Sequence, residues 1–564
     1  MVGTSQTNNG VATSAITANS IYLKGTSNNN GLGIAGIGLL TTPATGGGNI
    51  IIEGNSSSNT GVQLNNVVNS NGNVTIKGTS QSYRGVVTTG GTVTANGAVD
   101  IVATSVNGNG FAHGIIGAAN MTGASIKITG SATGGRGIFQ IGQLKATNGD
   151  LILNGVSTSD IGAYIDNSVV ANQGSVIING TSVSSAGIQV NTGTNIDALN
   201  YTVKGISSTG NGIYFPAGTS TFKSTSISVD SLIEAQNNGG NALFAYSGAT
   251  INLNSGSGKA TMATSASNLG NLRLGYSGGS VVNTTGDITI GSHNDSANLF
   301  QQGTINALSG KLTLKGKSSA DGIQLQDGGG TAARIIGTNG ASITLDGIST
   351  GSGNGVNITG TNNSYITASG TNSSVTVKGA SNTGTGVRIN TITSDGAVSI
   401  IGSATGGLGS GIGQTGAITA STISLNGTSV AGAGMTGIAA LNANKVNALT
   451  GNSVSLVGTS GSSHGITSVT SITSLGPVTA NGTSNGGVGW GISSVGAISG
   501  TTVSLTGSSI GGYGITTGGA INATAGGVTL NGTSAHYIAT NLDSSIREIE
   551  GVLIKINASA NLLN

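Results

Sequence analysis

Asp321 and Asp327 stand close to Lys317 in the segment KSSADGIQLQDGGG, and Asp160 and Asp166 form a second acidic pair. Two carboxyl groups converging on one outer groove are what glycan cleavage requires. One protonates the leaving oxygen while the other acts as base or nucleophile. The same residues suit turns, where Asp accepts hydrogen bonds from the backbone that follows. With 17 acidic residues spread over the chain, such pairs arise without selection for a site. The four His (His113, His293, His464, His536) lie in separate repeat units and lack metal-ligand spacing. His293-Asn294-Asp295 is a polar turn with a single carboxylate, too little for a Ca²⁺ cage. The runs Gly46-Gly47-Gly48 and Gly328-Gly329-Gly330 lack the Lys-Ser/Thr of a phosphate loop. No Cys is present, which removes disulfides, zinc ribbons and thiol catalysis. No catalytic, metal or cofactor-binding residue is therefore assigned, no cofactor is expected, and the chain is not expected to be an enzyme.

The elements that carry these residues announce themselves by repetition. A motif reading apolar-polar-apolar-polar-Gly and ending in Thr/Ser-Ser starts at Val74, Val99, Ile126, Leu151, Val176 and Tyr201, with steps of 25, 27, 25, 25 and 25 residues. It returns at Val454, Val478, Val503 and Val528, with steps of 24, 25 and 25. Alternation with a period of two is the strand signature. A Gly followed by an apolar residue comes 11 positions after most motif starts, as in Gly61-Val62, Gly137-Ile138, Gly187-Ile188 and Gly212-Ile213. A third short apolar segment, such as Val93-Thr94-Ala95 or Leu144-Lys145-Ala146, precedes the next motif. Three short strands cannot bury their apolar faces alone; stacked copies can. The fold expected is all-β: a right-handed parallel β-helix (β-solenoid) of about 22 coils of roughly 25 residues, three short strands per coil. At about 4.8 Å per coil such a rod is on the order of 100 Å long.

Composition agrees. Gly supplies 102 of 564 residues and charged residues only 6%, against about 7% and 25% in ordinary domains. Collagen is excluded because Gly has no three-residue period and Pro numbers 3. The net charge of +2 with no basic run gives nucleic-acid binding no electrostatic support. No apolar stretch is long enough for a transmembrane helix, and no signal peptide is visible at Met1-Val2-Gly3-Thr4-Ser5. The fourth motif position should face solvent. Its occupants Lys24, Glu53, Lys77 and later Lys315, Asp346, Lys378 would alternate in sign along a stack. The same column holds Asn154, Asn179, Asn426 and Asn531, whose side chains can hydrogen-bond between neighbours, and the Asn-Gly-Thr matches at Asn179, Asn426, Asn481 and Asn531 are read as turn chemistry rather than glycosylation sites. An ice-binding face would need a uniform outward Thr array, and Thr75, Asp100, Lys127, Ile152 and Ile177 at the second position are too mixed. Trp490 and Tyr513, 12 and 10 residues after their motif starts, are read as corner packing, with a sugar-stacking spot as the sharper alternative.

One array is expected over 1–564. Residues 231–310 are irregular, with a motif candidate at Leu272 only 16 residues before Ile288. Residues 541–564, richer in charge, read as a final coil or partial cap. Met1–Ser5 resembles the end of a motif, so the chain is read as starting inside a coil and as a fragment of a longer protein. The units VTIKGTS…GVV…VTANG and VIINGTS…GIQV resemble the repeat arrays of filamentous-haemagglutinin-like bacterial exoproteins, among them two-partner-secretion proteins and autotransporter passengers. That resemblance implies the structural or adhesive shaft of a secreted or cell-surface adhesin. Its implied partners are a host or neighbouring-cell surface, glycans or matrix, with self-association a further route, and no nucleic acid or membrane insertion. The competing readings are a glycan-binding or glycan-cleaving β-helix of the pectate-lyase or tailspike kind, and a self-assembling surface element.

Overall fold

A computed structural model of the chain describes residues 1–44, 47–113, 119–226, 229–237, 241–264, 271–275, 279–293, 298–327, 332–359, 364–445, 451–486 and 488–533. His536, Asn294-Asp295, Gly46, the Gly328–Gly330 run and the expected final coil at 541–564 lie outside them. The protein is a parallel β-solenoid of about 20 turns, 62% strand, with no helix among the described residues. Two compact units divide the chain, one of Met1–Tyr276 with Ser280–Ile288, the other of Ser277–Gly279 with Thr289–Asn564. The division falls inside the stretch that the sequence marks as irregular.

One coil of the first unit shows how the motif becomes structure. The motif strand Val74–Ser80 is followed by a second strand, Val86–Thr88, and a third, Val93–Ala95. Each lies parallel to and in register with its counterpart in the next coil: Val74 on Val99, Val86 on Phe111, Val93 on Met121. Val2–Ser5 stacks on Lys24–Ser27, matching motif tail to motif tail. Positions one, three, five and seven of the motif point inward, and two, four and six outward. Ile50, Ile52, Val74, Ile76 and Ile101 have no exposed surface, and each such side chain stabilises by about 1.5–3 kcal/mol. In the second unit, Leu312, Ile343 and Val375 remain stacked although 31 and 32 residues apart. Leu272 proves to belong to a second strand, Asn271–Leu274, lying against Leu243. The motif strand of that coil is at Ala260–Thr264, against Ser231–Ala235.

Position five is Gly in most coils for want of room. A Cβ on Gly180 would sit 2.2 Å from the carbonyl oxygen of Gly187 in the same coil. The second Gly is also confined: a Cβ on Gly162 would meet the Thr181 nitrogen of the next coil at 2.4 Å and its oxygen at 2.6 Å. Two glycine columns thus let the chain double back against itself at each corner.

Position seven is buried yet polar. Ser182, 1% exposed, donates from Oγ to the Asp160 carbonyl 2.6 Å away in the preceding coil and accepts from the Ser185 backbone N–H at 3.0 Å. Ser105, Ser157, Ser207, Ser381 and Ser509 make the same pair of bonds. One hydroxyl therefore satisfies two backbone groups that the turn would otherwise leave unpaired.

Candidate functional site

The structure commits the first acidic pair to its own architecture. Asp321 Oδ1 accepts from the backbone and side-chain nitrogens of Asn354 at 2.6 and 3.1 Å, and its Oδ2 from Asn357 Nδ2 at 2.7 Å. Asp327 Oδ1 accepts from Ser364 Oγ at 2.6 Å. Both carboxylates tie one coil to the next, as turn acids do.

Asp160 and Asp166 lead to a larger feature. Arg136, Asp160 and Asp166 flank the outer face of the second strands in the first unit. From Ile138 to Phe215 the second strands put their first and third residues inside and leave the middle residue part-exposed, as Ile138–Gln140, Ala163–Ile165, Ile188–Val190 and Ile213–Phe215 do. The middle residues stack in register: Phe139 on Tyr164, Tyr164 on Gln189, Gln189 on Tyr214, Tyr214 on Phe244, Phe244 on Arg273. Phe139 and Tyr164 meet edge to face with centroids 5.0 Å apart, and Tyr214 and Phe244 stack at 5.8 Å. The Arg136 guanidinium lies 4.4 Å over the Phe139 ring and 4.1 Å over that of Tyr164. Its Nε stands 3.7 Å from Asp160 Oδ2, while Asp160 Oδ1 accepts from the Ile161 N–H at 2.7 Å. Asn191 donates to the Tyr164 hydroxyl and accepts from Gln189 Nε2 at 2.7 Å. Burial raises the Asp166 carboxyl above its usual range, opposed by an Asn191 hydrogen bond and by Arg136. Burial likewise raises the Tyr164 phenol, followed by the charge of Asp166. Sequence reasoning passed over this column. Its signal was present, two residues after each landmark Gly, at Gly137, Gly162, Gly187 and Gly212.

The histidines separate by role. His113 is fully buried, with Nδ1 2.6 Å from Thr88 Oγ1 and its ring stacked 6.0 Å from Phe111. His464 Nδ1 accepts from the Trp490 N–H at 3.0 Å, and burial lowers the His464 pKa. The rings of His464, Trp490 and Tyr513 form an edge-to-face stack with centroids 5.5 and 5.3 Å apart. His293 Nε2 lies 2.7 Å from the Asp346 carbonyl oxygen and 3.9 Å from its Oδ1. Among the described residues, no three His, Asp or Glu side chains gather as a metal site would require.

The motif strands carry ordered polar columns. Lys24 bridges Glu53 at 3.7 Å and Lys204 bridges Glu234 at 3.2 Å, each pair stacked at position four. Asn179 Nδ2 donates to Asn154 Oδ1 at 2.8 Å. In the second unit, position two is hydroxylic without interruption, from Thr313, Thr344 and Thr376 through Ser399, Ser424 and Ser455 to Thr479, Ser504 and Thr529. The mixture of apolar, charged and hydroxyl residues seen at Thr75, Asp100, Lys127, Ile152 and Ile177 belongs to the first unit, whereas the second unit mixes only Thr and Ser at this position. Beside it, Tyr365, Thr367, Thr391 and Thr393 line an open depression of about 310 Å³ on the third-strand face.

No family model matches the chain, and no solved structure matches it. Two curated proteins match over 38 residues each. They are the chromosomal replication initiator protein DnaA of Aliarcobacter butzleri, 68% identical, and that of Wolinella succinogenes, 58% identical. Each match covers 7% of this chain, and the chain spans 9% of the relative's length. A match of that extent assigns no family.

Proposed function

We propose that the chain is a structural, adhesive shaft from a secreted or surface-attached bacterial adhesin, and that it performs no reaction of its own. Its partners in this reading are host or neighbouring-cell surfaces, through glycans or matrix. The observation that supports it is the outward face of the motif strands. Nine consecutive coils of the second unit repeat one hydroxyl position in register. A contact made once by such a face is available again one coil further on. Weak contacts repeated on a tethered array gain about 10²–10⁴ in avidity through effective concentration. The position of Asp321 also favours this reading over glycan cleavage, because both of its oxygens are engaged by Asn354 and Asn357.

Attachment of beads coated with the purified chain, to cell layers and to immobilised matrix, tests the proposal. Coated beads should adhere, and the free chain should compete only at concentrations about 10²-fold higher or more. Beads that attach no better than albumin-coated ones, or a purified chain that depolymerises polysaccharide, would overturn it.

A further inference from the structure

We propose that the second-strand face of the first unit, from Phe139 to Phe244, is a binding strip for an uncharged polysaccharide laid across successive coils. The inference rests on the adhesive reading above and names its partner. Four of five consecutive outward positions on this face are aromatic, in a chain only 3% aromatic. The fold does not need them there. The inward neighbours Ile138, Ala163, Ile188 and Ile213 already fill the core with no exposed surface. The rings are half-buried, each with part of its surface open to solvent.

The chemistry of the strip selects its occupant. Aromatic faces recognise C–H surfaces, and the groups beside them offer hydrogen bonds to hydroxyls at the rim. A pyranose presents both at once. The Asn191 amide, joined to Gln189 and to the Tyr164 hydroxyl, supplies the polar rim. The formal charges along the strip cancel: Arg136 acts on Asp160 and Asp166 at one end, and Arg273 lies against the Phe244 ring at the other. A strip without net charge gives no advantage to nucleic acid or to acidic glycans, whose binding rests on uncompensated cations. Arg136 also fixes two rings in place by lying over both, so less rotamer freedom is lost on binding. Successive rings follow the coil spacing of about 4.8 Å, so a polymer running across the coils meets a new one at nearly every step. The polar Gln189 occupies the one non-aromatic rung.

Co-sedimentation of the full chain with insoluble cellulose, xylan, mannan and chitin tests this, with heparin-agarose and single-stranded DNA in parallel. At least one neutral polymer should retain the chain, and retention should resist high salt. The double variant Tyr164→Ala/Tyr214→Ala should bind about tenfold more weakly or worse. Tyr164→Phe should bind nearly as wild type, and Tyr365→Ala, in the second unit, should be unchanged. The far-UV spectrum of each variant reports whether the solenoid persists. Retention by no neutral polymer, retention unaffected by the double variant, or retention only by heparin or DNA would each overturn the inference. If the coated beads still adhere to cells in any of those cases, this inference fails and the adhesive reading survives. If the beads fail as well, both fall.

Discussion

His113 shows what a single side chain costs inside so narrow a core. Its position is the last residue of a second strand, stacked between Thr88 and Gln140. In other coils Leu64, Ile165 or Val190 points inward there. Burial lowers the His113 pKa to about 4, against 6.5 for a free imidazole. The unfolded chain therefore takes up the proton first as pH falls. The neutral ring's contribution is complete above about pH 6.5, declines below it, and is lost near pH 4, amounting to roughly 3 kcal/mol. Amide hydrogen exchange at Phe111–His113 should accelerate over that window, and His113→Gln should remove the pH dependence. Exchange independent of pH opening in wild type, after correction for the intrinsic rate, would contradict it. The register that exposed the strands also fixes this residue's inward direction. Spacing alone did not show that a hydroxyl one coil away would receive it.

At the scale of the strand and its corner, the motif's last two conserved features are hydrogen-bonding and steric devices. A polar residue at an inward position conflicts with alternation read as hydrophobicity, so the Ser column was visible as a pattern while its purpose was not. Its purpose lies in the turn that follows. Ser182→Ala should leave the Ser185 N–H and the Asp160 carbonyl without this partner and destabilise the coil by about 1–3 kcal/mol. Natural exceptions at Ala132 and Ala404 place the effect well short of unfolding the stack. The glycine columns can be tested in the same way. Ala103 and Ala235 occupy position five in two coils and Ala242 the second column in another, so both columns tolerate a methyl where the backbone gives. A Cβ on Gly162 or Gly180 would meet backbone atoms well inside contact distance, and Gly162→Ala and Gly180→Ala should each cost about 1–3 kcal/mol. Thermal unfolding of the two single variants compares them directly.

For the molecule as a whole, periodicity was sufficient to read the architecture because a solenoid repeats its long-range contacts at fixed sequence separation. Val74, Val99 and Ile126 stack because their segments are alike, and no distant pairing had to be guessed. The reading was weakest where likeness fades. At Leu272, an apolar alternation belonging to a second strand imitates a motif. The aromatic strip escaped for a related reason: the position two residues after the landmark Gly was read only as part of an alternation, and the stacking is what makes its rings neighbours. Within each unit, stability accrues coil by coil from nearest-neighbour interfaces. A damaged coil is therefore expected to act locally.

The stacked trio Leu312, Ile343 and Val375 has one more implication. The lengthened coils place their surplus residues between the second and third strands, from Leu325 to Arg334 and from Ile358 to Tyr365, and the register on either side is undisturbed. Corners of this kind therefore accept a change of length while the strands that flank them keep their partners.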